Sequence, residues 1–303
     1  MNDDDVRAAL AELGPFFAVE AIKAVEPVQA AERAEAADEG PGPWRSMAEL
    51  ADPADPADGS GVLAARVAAV RGVLAAGGGQ PAEAVEERVA ASVVHLGLVA
   101  RLLSPYLALA VLYGRVPGRV RLADLRWRPA LGGPYPLALP LPLPPGTNHM
   151  PGTAADRTGA DLGTGADLGT GADLGTVTDV GTGADLAALA DRFSAALCEG
   201  AVREVESACA GFRVSPHVLR GNTASAVNGA ARMIAAARPD AAARAEALTG
   251  LLLERGRLRG SGRRTPGGGF RRNSCCLIYR AAPGHAGALC GDCALSRVPV
   301  RPG

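Results

Sequence analysis

Four cysteines near the C-terminus constrain this chain more than any other feature. Cys275 and Cys276 are adjacent, Cys290 and Cys293 enclose Gly291-Asp292, and thirteen residues separate the two pairs. Two intervening residues let the sulfurs of Cys290 and Cys293 face one point, and Gly291 frees the backbone to turn between them. Pro283-Gly284-His285-Ala286-Gly287 brings the chain back, so the vicinal pair can supply two further thiols. A segment held in this way needs little regular structure of its own.

Three chemistries use such a set. A disulfide between adjacent cysteines is strained and belongs to oxidising compartments. Tetrahedral zinc takes four thiolates, more often from two separated C-x2-C pairs. A [2Fe–2S] cluster takes the same four donors and tolerates irregular spacing, because each of its two irons needs only two sulfurs. Spacing alone leaves zinc open beside the cluster.

The stretch Ser274-Cys-Cys-Leu-Ile-Tyr-Arg280, followed by Leu289-Cys-Gly-Asp-Cys-Ala-Leu295, resembles the C-terminal signature of the FhuF-like ferric siderophore reductases. Residues 100–110 and 219–228 are similar to that family as well. The resemblance implies a [2Fe–2S] cluster held by Cys275, Cys276, Cys290 and Cys293, preceded by a basic segment that here is Arg271-Arg272. It implies a one-electron reductase that releases Fe(II) from ferric siderophores, with a ferredoxin or ferredoxin reductase as the electron source. The loop between the cysteine pairs is longer than the family's usual one. That places His285 where it can stand in for a thiolate, as in Rieske-type sites.

No glycine fingerprint follows a strand and opens a helix, and no phosphate loop is present, so the chain has no visible means of taking hydride from a dinucleotide. Charge is segregated: residues 1–58 carry fourteen acids against four bases, while residues 255–303 carry ten arginines against one acid, Asp292. The arginines flank cysteines without a stacking platform or a DNA-reading motif, so no nucleic-acid partner is expected. They are expected to stabilise the reduced cluster, to dock an acidic donor or to attract an anionic ferric siderophore. Met1-Asn-Asp-Asp-Asp5 lacks the basic region and apolar run of a signal peptide, and a cytoplasmic protein is expected. Val93–Tyr113 is mostly apolar but contains His95, Arg101 and Ser104-Pro105. It reads as two buried helices meeting at Ser104, with no integral membrane segment.

The expected fold is mainly α with a few strands (α+β) and an irregular C-terminal iron–sulfur-binding segment. Residues 1–128 form a helical N-terminal part, with helices over Gly61–Ala76 and Pro81–Leu103 and a strand over Val120–Trp127. Residues 129–183 form a proline-rich and repetitive insertion. Its first part is too rich in proline for a regular core element, and its second repeats Gly-Ala-Asp-Leu-Gly-Thr three times. Residues 184–256 form a helical C-terminal part, with one helix from Ala184 to about Cys209, a short strand over Phe212–Leu219 and a helix capped by Asn222 or Thr223 through Ala237. Residues 257–303 hold the basic connector and the cysteine segment. Cys198 and Cys209 lie about 16 Å apart along one helix and read as core thiols. His217, Arg220 and Asn222 sit near the expected helix N-terminus, a setting that attracts anions, and form a second candidate site for substrate or partner.

Deleting Gly159–Thr182 should leave metal content unchanged and shift stability by less than about 1 kcal/mol, because loop length enters stability only logarithmically. Loss of soluble protein on deletion would show that the repeat is structural.

Overall fold

The longest apolar run of the sequence becomes the central helix. The structure, a computed structural model, describes residues 3–21, 43–52, 61–139, 183–265 and 269–299. The hexapeptide repeat and residues 140–152 of the proline-rich stretch lie outside the described residues. In chain order the elements are α1 (Asp3–Glu12), β1 (Glu20–Ala21), β2 (Arg45–Ser46), α2 (Val62–Gly77), α3 (Glu87–Tyr113), β3 (Arg126–Trp127), β4 (Leu137–Leu139), α4 (Gly183–Phe193), α5 (Ala201–Cys209), α6 (Pro216–Ala237), α7 (Ala242–Leu253), β5 (Gly262–Arg264) and β6 (Phe270–Arg272). The class is mainly helical with short strands, and the cysteine segment that follows β6 is irregular, as the sequence suggests.

Helix α3 is the axis. Its most apolar stretch has the length and hydropathy of a membrane span, yet 72% of that stretch is buried inside the protein. Helices α2, α5, α6 and α7 all pack on it, α6 most extensively. Leu98, Leu102, Leu103 and Tyr106 on α3 are fully buried, as are Val227 and Ile234 on α6. Each buried side chain of this size contributes about 2 kcal/mol of transfer free energy, so the α3–α6 contact fixes the body on which the cysteine segment rests.

Beside this bundle lies a small sheet of order β1-β4-β3-β2, in which β1 and β4 are parallel and the other pairs antiparallel. Arg101 of α3 holds it. Its guanidinium donates to the carbonyls of Tyr135 (2.9 Å), Phe16 (3.0 Å) and Ala18. Tyr135 returns a hydrogen bond to the Leu98 carbonyl at 3.2 Å and meets Trp127 edge to face, with ring centroids 5.2 Å apart.

Several local expectations give way to tertiary packing. Residues 87–113 form one helix straight through Pro105. Ser104 does not cap a new helix; its hydroxyl donates back to the Ala100 carbonyl at 2.7 Å, and burial on all sides outweighs the bond that Pro105 forfeits. The strand expected over Val120–Trp127 shrinks to β3, preceded by a 3-10 turn at Leu122–Asp124. The proline-rich stretch does contribute a core element, since β4 is buried along its whole length. The helix expected from Ala184 to Cys209 is divided by a π-helical turn at Ser194–Cys198. Phe212–Leu219 is not a strand, because α6 begins at Pro216, with the Ser215 hydroxyl accepting from the His217 amide. Asn222 and Thr223 are therefore interior residues of α6, not caps. Part of the basic connector pairs as the β5–β6 hairpin.

Replacing Arg101 by Met should cost about 3 kcal/mol, because three inward-facing carbonyls lose their donor. Urea unfolding should show a lower midpoint with an unchanged slope; an unaffected midpoint would mean that Arg101 does not hold the sheet.

Candidate metal centre

The β5–β6 hairpin delivers the chain to the site. Arg263 pairs with Arg271 and Gly262 with Arg272, and Phe270 is buried against the core. The Arg272 amide then donates to the Asp292 carbonyl at 2.9 Å, which closes the cysteine segment back on its own start. Asp292 accepts a 2.5 Å bond from Ser225 of α6 through its carboxylate. The knuckle 290–293 is thus tied to both the hairpin and α6.

The four thiols come together. Cys276 Sγ lies 3.4 Å from Cys290 Sγ, and Cys275 is within hydrogen-bonding reach of Cys276. Cys276 and Cys293 are buried, while Cys275 and Cys290 are half-exposed. Backbone amides face the sulfurs: Leu277 donates to Cys275 at 3.3 Å and Leu295 to Cys293 at 3.4 Å. The first of these amides depends on a left-handed backbone at Leu277 (φ 71°), a conformation that costs free energy in a non-glycine residue. Hydrogen bonds from Cys275 and Cys290 hold the Cys276 thiol far below its usual range, and bonding to Cys276 together with burial pushes Cys275 and Cys290 up. Cys198 and Cys209 differ: burial pushes both thiols up to about 12, and they remain neutral core residues.

Under the thiols runs a chain of buried polar groups. Arg272 is 1% exposed. Its Nη2 donates to Asn222 Oδ1 (2.5 Å) and to the Val218 carbonyl (3.2 Å), while Nε and Nη1 have no partner. Asn222 Nδ2 donates to the Ser92 carbonyl at 2.9 Å, and the Ser92 hydroxyl donates to the Cys276 carbonyl at 2.8 Å. His95 Nδ1 lies 3.4 Å from Asn222 Nδ2. Burial, and then the charge of Arg272, pushes this histidine down to about 3, so it is neutral. Gly221 makes room for the chain: a Cβ there would stand 2.3 Å from Ser274 Oγ and 3.0 Å from Arg272 Nη2.

The far side of the cysteine loop is held by other means. Arg280 is paired with Glu86, Gln80 donates to the Ala281 carbonyl at 2.6 Å, and Ala281 packs with Ala75, Val85 and Val89. His285 Nε2 stands 3.7 Å from Glu86, so the structure turns this imidazole toward a carboxylate of the body.

Of the residues singled out by sequence, Arg271 is half-buried and donates to the Cys293 carbonyl at 2.9 Å, and Arg272 is the buried cation just described. His217 and Arg220 lie on the first turns of α6 beside a surface cavity. Asn222 is separated from them, fully buried and spent on Arg272 and Ser92, so it ties helices together and does not reach a ligand at the surface. Sequence reading missed Ser92, Glu86, Gly221 and Ser225. Ser92 left one trace: with His95 and Arg101 it is a polar residue inside an apolar helix, where each such group needs a reason.

The residues present fit an anionic thiolate-bound group. Four soft donors and inward amides stand near a buried guanidinium whose charge acts on Cys276 and Cys290. No acidic side chain forms an ion pair with Arg272 among the described residues. A buried, uncompensated guanidinium costs several kcal/mol, and negative charge at the thiols offsets that cost.

In the metal-loaded protein, Arg272→Gln should lower the reduction potential by on the order of 50–100 mV, since a buried charge is weakly screened. Arg271→Gln should lower it by clearly less, and Arg272→Lys should retain most of the wild-type value. Equal shifts for the two arginines in spectroelectrochemical titration would contradict this. Gly221→Val should reduce retained metal at least severalfold while α-helical circular dichroism persists, because it displaces Ser274 and Arg272.

No curated protein sequence and no solved structure matches the chain. Residues 272–295 match the model of the FhuF 2Fe-2S C-terminal domain. The matched stretch contains all four cysteines of the segment that packs on the α3–α6 body.

Proposed function

We propose that the protein is a cytoplasmic one-electron reductase of ferric siderophores that uses a [2Fe–2S] centre held by Cys275, Cys276, Cys290 and Cys293. The observation that carries this reading is the gathering of the cysteines near the buried guanidinium of Arg272, within a segment that matches the FhuF 2Fe-2S C-terminal domain.

A [2Fe–2S] centre, when bound, supplies a carrier of single electrons. The protein's own groups do the rest. Arg272 and the amides of Leu277 and Leu295 stabilise added negative charge at the thiols. Helices α3 and α6 shut water out from the inner side, while half-exposed Cys275 and Cys290 present the outer side to partners. One electron from a ferredoxin or a ferredoxin reductase enters, and one electron leaves to the Fe(III) chelate. The product Fe(II) is larger and softer, hard oxygen donors hold it less tightly, and iron leaves an intact siderophore.

Anaerobic mixing of the pre-reduced protein with a ferric siderophore tests the proposal. Expected are re-oxidation of the protein in the visible spectrum and about one Fe(II) trapped by a ferrous chelator per electron delivered. Cys198→Ser should behave as wild type and Cys276→Ser should show neither signal. A colourless, zinc-loaded protein that no ferric chelate affects would favour a zinc-stabilised binding module.

A further inference from the structure

A surface cavity of about 160 Å³ is lined by His217, Arg220, Arg259, Ser261, Asn273 and Ser274. Ser274 precedes Cys275 in the chain, so the cavity opens next to the half-exposed cysteine of the vicinal pair. Two guanidinium groups and an imidazole line it, and no acidic residue does.

The donors here are idle. Arg220 makes no hydrogen bond or ion pair among the described residues, and its Nε is closed off from solvent without a partner. Arg259 spends only Nε, on the Glu254 carbonyl at 2.9 Å, which leaves its two terminal nitrogens unpaired among the described residues. Ser274, Asn273 and Ser261 are already committed, Ser261 to the Leu258 carbonyl. Ser274 Oγ donates to the His217 carbonyl at 2.7 Å, and Asn273 donates to the Gly260 carbonyl at 2.9 Å and accepts from Arg263 at 3.2 Å. The only acid after Glu254 is Asp292, and it is engaged by Ser225. The free valence of the cavity is therefore cationic donors in a fork, the pattern that carboxylates satisfy.

We infer that this cavity is a carboxylate-binding subsite. It takes one anionic arm of a carboxylate-bearing ferric chelate and so holds the metal of that chelate beside Cys275. The inference rests on the reductase reading and gives it a substrate class: chelates with a free or metal-bound carboxylate, in preference to uncharged hydroxamates. The cavity is too small for a whole chelate and suits a single arm. Its concave form suits a small ligand better than the broad face of an electron-donor protein.

The probe is gallium(III) citrate, a redox-silent carboxylate chelate, compared with a gallium(III) trihydroxamate chelate that lacks carboxylates. Binding is measured by calorimetry on the metal-loaded protein at low and moderate salt. In the double variant Arg220→Gln, Arg259→Gln the citrate complex should bind at least about tenfold more weakly, and Arg220→Lys should recover part of the loss. The preference for citrate over trihydroxamate should fall by a similar factor, with the visible spectrum unchanged. Absence of citrate binding to the wild type, equal losses for both chelates, or slowing only of electron entry from a reduced ferredoxin would each overturn the inference. Because gallium accepts no electron, this measurement stands apart from the reductase reading. Arginine-dependent binding without any re-oxidation by ferric chelates would sink the reductase while leaving the subsite, and the reverse pattern would do the opposite.

Discussion

The C-terminal site depends on a guanidinium buried where no carboxylate answers it. Arg272 comes in on the last residue of a short hairpin and is pinned by Asn222 and the Val218 carbonyl, with two donors left without a partner. Charge in such a place is costly unless an opposite charge sits nearby. Thiolates at the cysteine cluster would supply it, since the charge of Arg272 acts on Cys276 and Cys290. The interaction is reciprocal: the arginine makes an anionic centre tolerable, and the anionic centre makes the arginine tolerable.

Around that pair the rest of the architecture reads as support. Ser92 on α3 and Asn222 on α6 carry the guanidinium's hydrogen bonding through to the Cys276 carbonyl, so the crossing of the two central helices sets the position of the inner sulfurs. Ser225 holds the second knuckle from the same face of α6. The Glu86–Arg280 pair and Gln80 fasten the outer loop to the start of α3. An irregular segment without regular secondary structure of its own is thereby fixed at several points, which is what a centre that changes charge without changing shape needs.

The cysteine set is legible in the sequence because it lies within one short stretch, the stretch that matches the FhuF 2Fe-2S C-terminal domain. The mainly helical class was legible too, since alanine and leucine dominate long segments. What supports the site was not legible. Ser92 and Cys276 stand 184 positions apart, and no local pattern links them. Ser215-Pro216 does carry a start signal for α6, but the local reading puts a short strand over Phe212–Leu219 and the cap at Asn222 or Thr223. Ser104-Pro105 carried the same signal and was overruled by burial, because a helix enclosed on all sides tolerates a lost bond that an exposed one does not. The two Ser-Pro pairs look alike locally, and only tertiary surroundings separate them.

The most direct measurement is iron, zinc and acid-labile sulfide analysis of anaerobically purified protein, with Mössbauer spectra of a ⁵⁷Fe-enriched sample. This account predicts about two irons and two sulfides per chain in a spin-coupled pair, with all four ligands thiolate. The pair should be absent from Cys275→Ser, Cys276→Ser, Cys290→Ser and Cys293→Ser and present in Cys198→Ser. About one zinc per chain without sulfide, or an iron pair that survives loss of Cys276, would contradict it.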